Sequence, residues 1–503
     1  MKKLYNDFLE EYVNLDQMEK INNENLSTIN YYMPHHGVFK PDRTSTKLRV
    51  VFNASSPTTT GKSLNDVLLS GEINEDVFNI MFRFRKHQIV LIADIRQMFR
   101  QILIEPSQRD LLRILWKTKE EEEPVAYRLK TVTYGTKCAP FLATRVLRQL
   151  AMDEVKNFPL SSEVVLSDVY MDDIVTGSQD LGTAIVKSRL TKKEDSTIKT
   201  LGMAWKSNED QFIFKVSVKE QTVYTKRDVL STLAKLFDPL GPLGPVICKA
   251  KIFLQRHWLE KVNWDDPLPE QFASDWYRFV CNLKEIEKIK IDRYILNSQP
   301  ERIVLLGFSD ASTHAYGGVA YLQCYAKDST PLSKLLACKS RVAPLKTISI
   351  PRLELCACLL LAKLVKKILL SLKMNIEEVM SFSDSTIALA WINSHTHQLK
   401  TFVGNRVSKI QSLTEHHQWR LISSTENSAE ITSRGADPID LNNLNLWWTG
   451  PTIFIEETNN DFFPVRSKWT PSKRNYIQLN INSYIQKTQY FLRIATSSPK
   501  FFP

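Results

Sequence analysis

The sequence predicts a multidomain chain of mixed α/β and α+β class. Three observations predict it. The chain has 503 residues, 43% of them hydrophobic, enough for several ordinary domains with cores of their own. From Tyr31 to about Thr225, short β-branched apolar runs alternate with polar helical stretches. A second α/β pattern opens at "RIVLLGFSDAS", near residue 302, and runs to about Gly450.

The elements follow in order. Residues 1–30 read as a polar, helical lead-in. "LRVVFNAS", "QIVLIADI" and "VVLSDVYMDDIVTG" read as strands, because they are short and rich in Val and Ile. "APFLATRVLRQLAMDEV" reads as a helix entered at Pro140. "LFDPLGPLGP", Leu236 to Pro245, is a turn cluster. A helical, Trp-bearing stretch then runs to about residue 290. "RIVLLGFSDAS" and "YGGVAYLQ" read as a strand and its return. "SIPRLELCACLLLAKLVKKIL" and "STIALAWI" read as helices. The last fifty residues, rich in Asn, Ser, Lys and Pro, read as linker or tail.

The formal net charge of +11 favours polyanionic partners, nucleic acid before an anionic membrane. The seven cysteines are scattered with no CxxC pair, which argues against a zinc ribbon and for a reducing compartment. "MKKLYNDFLEEYVNL" has no signal-peptide core, and "LCACLLLA", stopped by Lys363, is too short to span a bilayer. These features predict a soluble intracellular protein. His35, His36, His395 and His397 read as loop residues rather than metal ligands.

Two sets of acids stand out. Asp172 and Asp173 lie between apolar runs in "VYMDDIVTG". Adjacent carboxylates repel, so the pair suits either a surface turn or a divalent cation at a hairpin tip. Asp94 ends the buried-type strand "IVLIAD", although it could also cap "IRQMFRQI" as a helix. Three acids at neighbouring strand ends suit magnesium, a hard ion that takes oxygen ligands and shares its shell with phosphates. Asp310, Glu354, Asp384 and Glu430 form the second set, on a strand end, a helix, the next strand end and "ENSAEITSRG". Taken singly, each reads as a solvated or capping residue.

"YYMPHHGVFKPDRTSTKLRVVFNASS", "LIADIRQMFRQILI", "LLRILWK", "YRLKTVTYGTKCAPFLATRVLRQLA" and "VYMDDIVTG" together resemble the fingers and palm of a reverse transcriptase of the BEL/Pao retrotransposon type. "TKRDVLSTLAKLFDPLGPLGP" and "IPRLELCACLLLAKL" resemble the same family. The resemblance implies a right-hand polymerase (fingers, palm, thumb) followed by a ribonuclease H-like α/β domain. Residues 31–225 would be fingers and palm, 226–300 a helical thumb or connection, 301–450 the ribonuclease H-like domain, and 451–503 a linker or tail. Residues near 295–450, whose four acids all lie downstream of the short segment after Asp173, are expected to fold by themselves.

The resemblance also assigns roles. Asp94, Asp172 and Asp173 would hold metal for nucleotidyl transfer, and Asp310, Glu354, Asp384 and Glu430 for hydrolysis of RNA in a hybrid. Two Mg2+ or Mn2+ ions would serve each site. Glu430 stands where the family has Asp. Arg49 would contact the incoming triphosphate, with Lys40 as a further contact. Phe99 would exclude a ribose 2′-hydroxyl, and Tyr134 and Gly135 would back the nucleotide and template. Asn53 stands where the family more usually has Asp.

The implied partners are RNA template, primer, RNA–DNA hybrid and deoxynucleoside triphosphates, with no membrane and a possible dimer. The implied setting is intracellular, a cytoplasmic retrotransposon particle, with the nucleus as the alternative. A protease upstream and an integrase downstream would belong to the same polyprotein and are not in this chain. The segment from Asp173 to Leu201 is shorter than the family's, without its Gly-bearing turn. That leaves a second expectation open: a nucleic-acid-binding relic with impaired catalysis. Segments of this family also carry a peptidase name. An aspartic peptidase needs a D-T-G or D-S-G turn, and "SDAST" and "SDSTI" are poor substitutes.

Overall fold

The computed structural model describes residues 1–21, 29–40, 47–71, 76–117, 123–188, 198–218, 220–259, 263–297, 300–327, 330–415 and 417–451. The expected tail therefore lies outside the described residues from 452 onward, as does the stretch 189–197 of the shortened segment. The chain divides into two compact units. Of the described residues, the first comprises those within 1–73 and 97–147, the second those within 74–96 and 148–451.

In the first unit, the strand Leu48–Phe52 alternates strictly. Leu48, Val50 and Phe52 point into a core while Arg49 faces out, as period-two side chains must. This strand pairs antiparallel with His35–Phe39, so His35 and His36 lie on a strand rather than in a loop. A three-stranded sheet runs Met18–Lys20, Val125–Leu129, Arg113–Trp116. The N-terminal residues are more than a polar lead-in. The helix Lys2–Asn14 buries Leu9 and Tyr12, and Met18 is buried on a strand paired with Val125–Leu129. Four apolar positions at near-helical spacing, Tyr5, Phe8, Leu9 and Tyr12, supply the packing face.

The second unit holds three sheets. In the first, Asp173–Ser178 lies between Ile89–Asp94 and Val169–Tyr170, all antiparallel. The apolar run "VVLS" before it is the end of a helix, Pro159–Ser167, and not a strand. Proline at the first helical position starts that helix, and its β-branched residues give no clear period to decide against a strand. The second sheet orders Lys290–Asp292, Gln211–Ile213, Met203–Lys206 and Ile198–Thr200.

The third sheet has five strands, ordered Leu332–Val342, Ala315–Tyr325, Arg302–Ala311, Glu378–Ser383, Gln418–Leu421. The first three are antiparallel and the last two join in parallel. The helix Ile350–Leu372 connects the antiparallel half to the parallel half. The interval before this sheet contains helices Lys226–Lys235, Gly244–Leu259 and Glu270–Asn282. "DPLGPLGP" is pinned to the sheet's outer strand. Gly241 has φ +93° and a Cβ there would stand 2.1 Å from the Cys338 carbonyl oxygen, so only glycine fits.

The third sheet is not self-sufficient. Its Leu305, Leu322 and Leu336, with Leu361, Val365 and Ile368 of the long helix, share one hydrophobic core with Phe78, Ile80, Met81, Phe82 and Phe84 of helix Val77–Lys86. Two buried guanidinium groups reinforce that junction. Arg85 donates to the carbonyls of Leu335 and Leu336, each at 3.1 Å. Arg293 pairs with Asp210 at 2.5 Å and donates to the carbonyls of Phe84 and His87 at 2.7 and 2.6 Å. A fragment of residues near 295–450, expected to fold by itself, would leave its side of this continuous core without helix Val77–Lys86.

Candidate functional site

The hairpin around "YMDD" puts Asp173 opposite both Asp94 and Tyr170 in strand register. Met171 and Asp172 form the two-residue turn between Tyr170 and Asp173. Met171 has φ +57°, the sign that such turns demand and that a non-glycine residue resists. The Ile95 amide donates to the Asp172 carbonyl at 2.8 Å, tying the turn to the end of the neighbouring strand. Burial, with the charges of Asp172 and Asp94, pushes the Asp173 carboxyl up to about 6. So the three acids are close enough to repel. Yet among the described residues they are not one of the groups whose carboxylate oxygens all converge to ligand spacing.

The base of this hairpin is held by a residue the sequence reading passed over. Asp168 is buried and pairs with Arg83 of helix Val77–Lys86 at 2.7 Å. It also accepts a hydrogen bond from Thr176 at 2.6 Å, and its carbonyl accepts from the Val175 amide at 2.9 Å.

The five-stranded sheet carries the other set. Asp310 lies near the end of the central strand, directly opposite Gly317. Glu354 occupies the second turn of the long helix, and Asp384 follows the last residue of its strand, just before Ser385 caps the next helix. One oxygen of each lies within 4.8 Å of the others, and this is the convergent group of three among the described residues. A Cβ at Gly317 would stand 2.5 Å from Thr432 Cγ2. Glycine there lets the helix Ala429–Arg434, which carries Glu430, lie close against the two strands. Glu430 stays apart from the convergent group and accepts a hydrogen bond from Arg434 at 2.9 Å.

The electrostatics of these acids suit a divalent cation. Burial, then the charges of Asp310 and Asp384, pushes Glu354 up to about 9. Burial is the main cause for Asp310 too, at about 6, opposed by the Ser433 hydroxyl and assisted by Asp384. Burial likewise raises Glu430, with Arg434 pulling it down. Glu354 Oε2 and Asp384 Oδ1 are buried without any hydrogen-bond partner. Two orphaned carboxyl oxygens in one small cluster are costly, and hard divalent ions take carboxylate oxygens as ligands.

The remaining candidates lie in the first unit. Arg49 is exposed on its strand, its guanidinium 5.7 Å from the ring centre of Tyr134. The Tyr134 hydroxyl donates to the Val50 carbonyl at 2.9 Å. Gly135 has φ +97°, and a Cβ would stand 2.2 Å from the Phe52 carbonyl oxygen. The structure thus gathers Arg49, Tyr134 and Gly135 about one strand. Lys40 is exposed just beyond the partner strand, and residues 41–46 after it lie outside the described residues. Phe99 is half-buried in the short helical turn Met98–Gln101 and belongs to no hydrophobic core among the described residues. Asn53 is exposed and accepts from the Ser55 amide at 3.1 Å, an ordinary turn contact.

Residues 225–385 match a family described as the Pao retrotransposon-like RNaseH-like domain. That span contains Asp310, Glu354 and Asp384, and it begins at the helices before the five-stranded sheet. No curated protein matches the chain in sequence. Among solved structures, the chain is similar to the foamy viral protease-reverse transcriptase in complex with RNA/DNA hybrid, at 13% identity and TM-score 0.51, covering 83% of this chain and 52% of that one. It is similar to the dRH form of the same protein in complex with double-stranded DNA, at 13% identity and TM-score 0.51, covering 82% and 68%. A third structure, of the protein in complex with double-stranded DNA, gives 12% and 0.52, covering 84% and 83%. The chain spans about half the length of the first of these. At such identities the likeness is one of fold: a mixed α/β architecture shared with reverse transcriptases. No described helix is long and apolar enough to cross a membrane.

Proposed function

Taking the chain as a Pao/BEL-type retrotransposon Pol fragment, which the match over residues 225–385 and the shared fold support, we propose that it is an RNA-directed DNA polymerase with a ribonuclease H activity. The observation that carries the proposal is the convergence of Asp310, Glu354 and Asp384, the first two buried and the third half-buried, with two of their oxygens buried and unpartnered. The neighbours' complexes with RNA/DNA hybrid and double-stranded DNA, and the charge of +11, support nucleic acid as the partner.

Divalent magnesium or manganese, two ions per site, would neutralise charge and polarise the reacting phosphoryl group. For hydrolysis, Asp310, Glu354 and Asp384 would hold it. Glu430 would contribute after releasing Arg434, whose guanidinium is then free for a phosphate. For synthesis, Asp94, Asp172 and Asp173 would hold it at the hairpin tip. Arg49 would bind the triphosphate of the incoming nucleotide, with Lys40 alongside, because a guanidinium fork matches phosphate oxygens. Tyr134 and Gly135 would shape the floor beneath nucleotide and template. The ring of Phe99 would exclude a 2′-hydroxyl. Fingers, palm and thumb would be formed within residues 31–300, and a dimer is compatible with this scheme.

A second reading is favoured by one observation: among the described residues the hairpin acids do not converge as the triad does. In that reading the chain binds and cuts hybrids but does not extend primers. The test is a pair of assays on the full chain with magnesium: cleavage of end-labelled RNA in an RNA–DNA hybrid, and extension of a DNA primer on RNA. We expect both, each weakened steeply by salt as phosphate contacts release counterions. Cleavage without extension selects the second reading. Neither activity overturns the proposal.

A further inference from the structure

We propose that Ser433 and Ser424 are positioning residues that fix the carboxylates of Asp310 and Asp384 for divalent-metal binding. The inference rests on the ribonuclease reading above. The Ser433 hydroxyl donates to Asp310 Oδ2. The Ser424 hydroxyl donates to Asp384 Oδ2 at 2.7 Å. In Asp384 the other oxygen, Oδ1, is the one left buried and unpartnered. So one oxygen of this ligand is tethered and the other is presented.

Both serines come from one short stretch, 424–433, which otherwise gives the site only Glu430. Its placement is set from inside. Asn427 is fully buried and donates to the Ser309 carbonyl at 3.1 Å, next to Asp310. The Ser312 hydroxyl donates to the Ser433 carbonyl at 2.8 Å. Ser433 is itself fully buried, while Ser424 is exposed on a short helical turn. A carboxylate rotates about two bonds. Holding one oxygen removes that freedom before the ion arrives, so less ordering is left to offset on binding. The contrast with the hairpin is direct, since no hydroxyl donates to the carboxylate of Asp172 or Asp173 among the described residues.

The experiment is Mn2+ binding by the full chain, followed by electron paramagnetic resonance, for the unmodified protein, Ser424→Ala, Ser433→Ala and Ser424→Thr. Asp172→Asn is combined with each, which lowers the hairpin's negative charge and so its share of the signal, and the effects are read as differences within that background. Loss of either hydroxyl should weaken Mn2+ binding on the order of 10–100-fold, the usual effect of removing a partner that orients a metal ligand. Ser424→Thr keeps a hydroxyl and should restore binding. Thr425→Ala, which removes a neighbouring hydroxyl that touches no acid, should bind as the unmodified chain does. Ser424 is exposed, so its variants stay folded even where Ser433→Ala does not. Equal Mn2+ affinity in Ser424→Ala and the unmodified chain overturns the proposal and leaves the metal site standing. No Mn2+ bound by the unmodified chain overturns the metal reading, and the positioning role with it.

Discussion

Three acids of the hairpin sheet come from two adjacent strands and the turn between Tyr170 and Asp173, whereas those of the five-stranded sheet come from a strand, a helix and a strand end. The hairpin acids are local, partly exposed and held by backbone, with Met171 at φ +57°. Of the other acids, Asp310 and Glu354 are buried and Asp384 is half-buried; the three converge within 4.8 Å, and Asp310 and Asp384 are anchored by serine hydroxyls. The difference teaches that nearness in sequence is not preorganisation. A site assembled from distant segments is fixed by the core between them. Acids on a hairpin tip lack that core, and under the proposed reading an ion and substrate would have to draw their charges together.

The largest effects should separate the two sites. Glu354→Gln should cut hybrid cleavage by about a thousandfold or more and leave primer extension intact. Lost ion binding forfeits several kcal/mol of charge stabilisation, at about tenfold per 1.4 kcal/mol. Asp172→Asn should do the reverse. If one substitution abolished both activities equally, the two-site comparison would fail.

The next effect concerns what the sites share. Phe84 is fully buried, edge-on to Trp205 at 5.5 Å and beneath the Arg293 guanidinium. Phe84→Ala should destabilise the second unit by about 3–5 kcal/mol. Calorimetry should register one shifted transition for that unit. Two transitions, only one of them displaced, would mean that hairpin and five-stranded sheets fold separately after all.

A pH series sharpens the contrast. Glu354 and Asp310 are raised to about 9 and about 6 in the fold, so the folded state holds protons that the unfolded chain releases near pH 4. Their contribution is full below that point and is lost as pH rises through 6 and then 9. Without metal, the melting temperature should therefore drop by several degrees between pH 6 and 9, and Glu354→Gln should flatten the drop. Added Mg2+ should flatten it as well. For the hairpin, Asp173 at about 6 confines the matching loss to pH 4–6. A profile of the unmodified protein identical to that of Glu354→Gln would contradict the burial argument.

Smallest of all, Met171→Gly should relieve the turn and stabilise the protein by about 1 kcal/mol, measured by chemical unfolding. If extension stays unchanged, the strained turn has no part in aligning Asp172.

The two sites were unequally legible in the sequence. "YMDD" declared itself because its charges are contiguous, and "IVLIAD" because a buried-type strand ended in an acid. Asp310, Glu354 and Asp384 could be joined only through a resemblance, since their convergence depends on the sheet order. Ser424 and Ser433 gave no signal, because small polar residues suit any loop or helix end. Asp168 was hidden by the taking of "VVLS" for a strand: β-branched runs of this length do not declare their period. The shared core was equally silent. Nothing in helix Val77–Lys86 says which apolar surface its phenylalanines will meet, and nothing in the sequence marks Arg85 and Arg293 as buried donors to backbone carbonyls.

The most direct test of the account is anomalous diffraction from crystals of the full chain grown with Mn2+ and without nucleic acid or nucleotide. The account predicts a peak bounded by Asp310, Glu354 and Asp384, and a much weaker one or none at the Asp172 hairpin. A strong peak at the hairpin with nothing at the triad would contradict it.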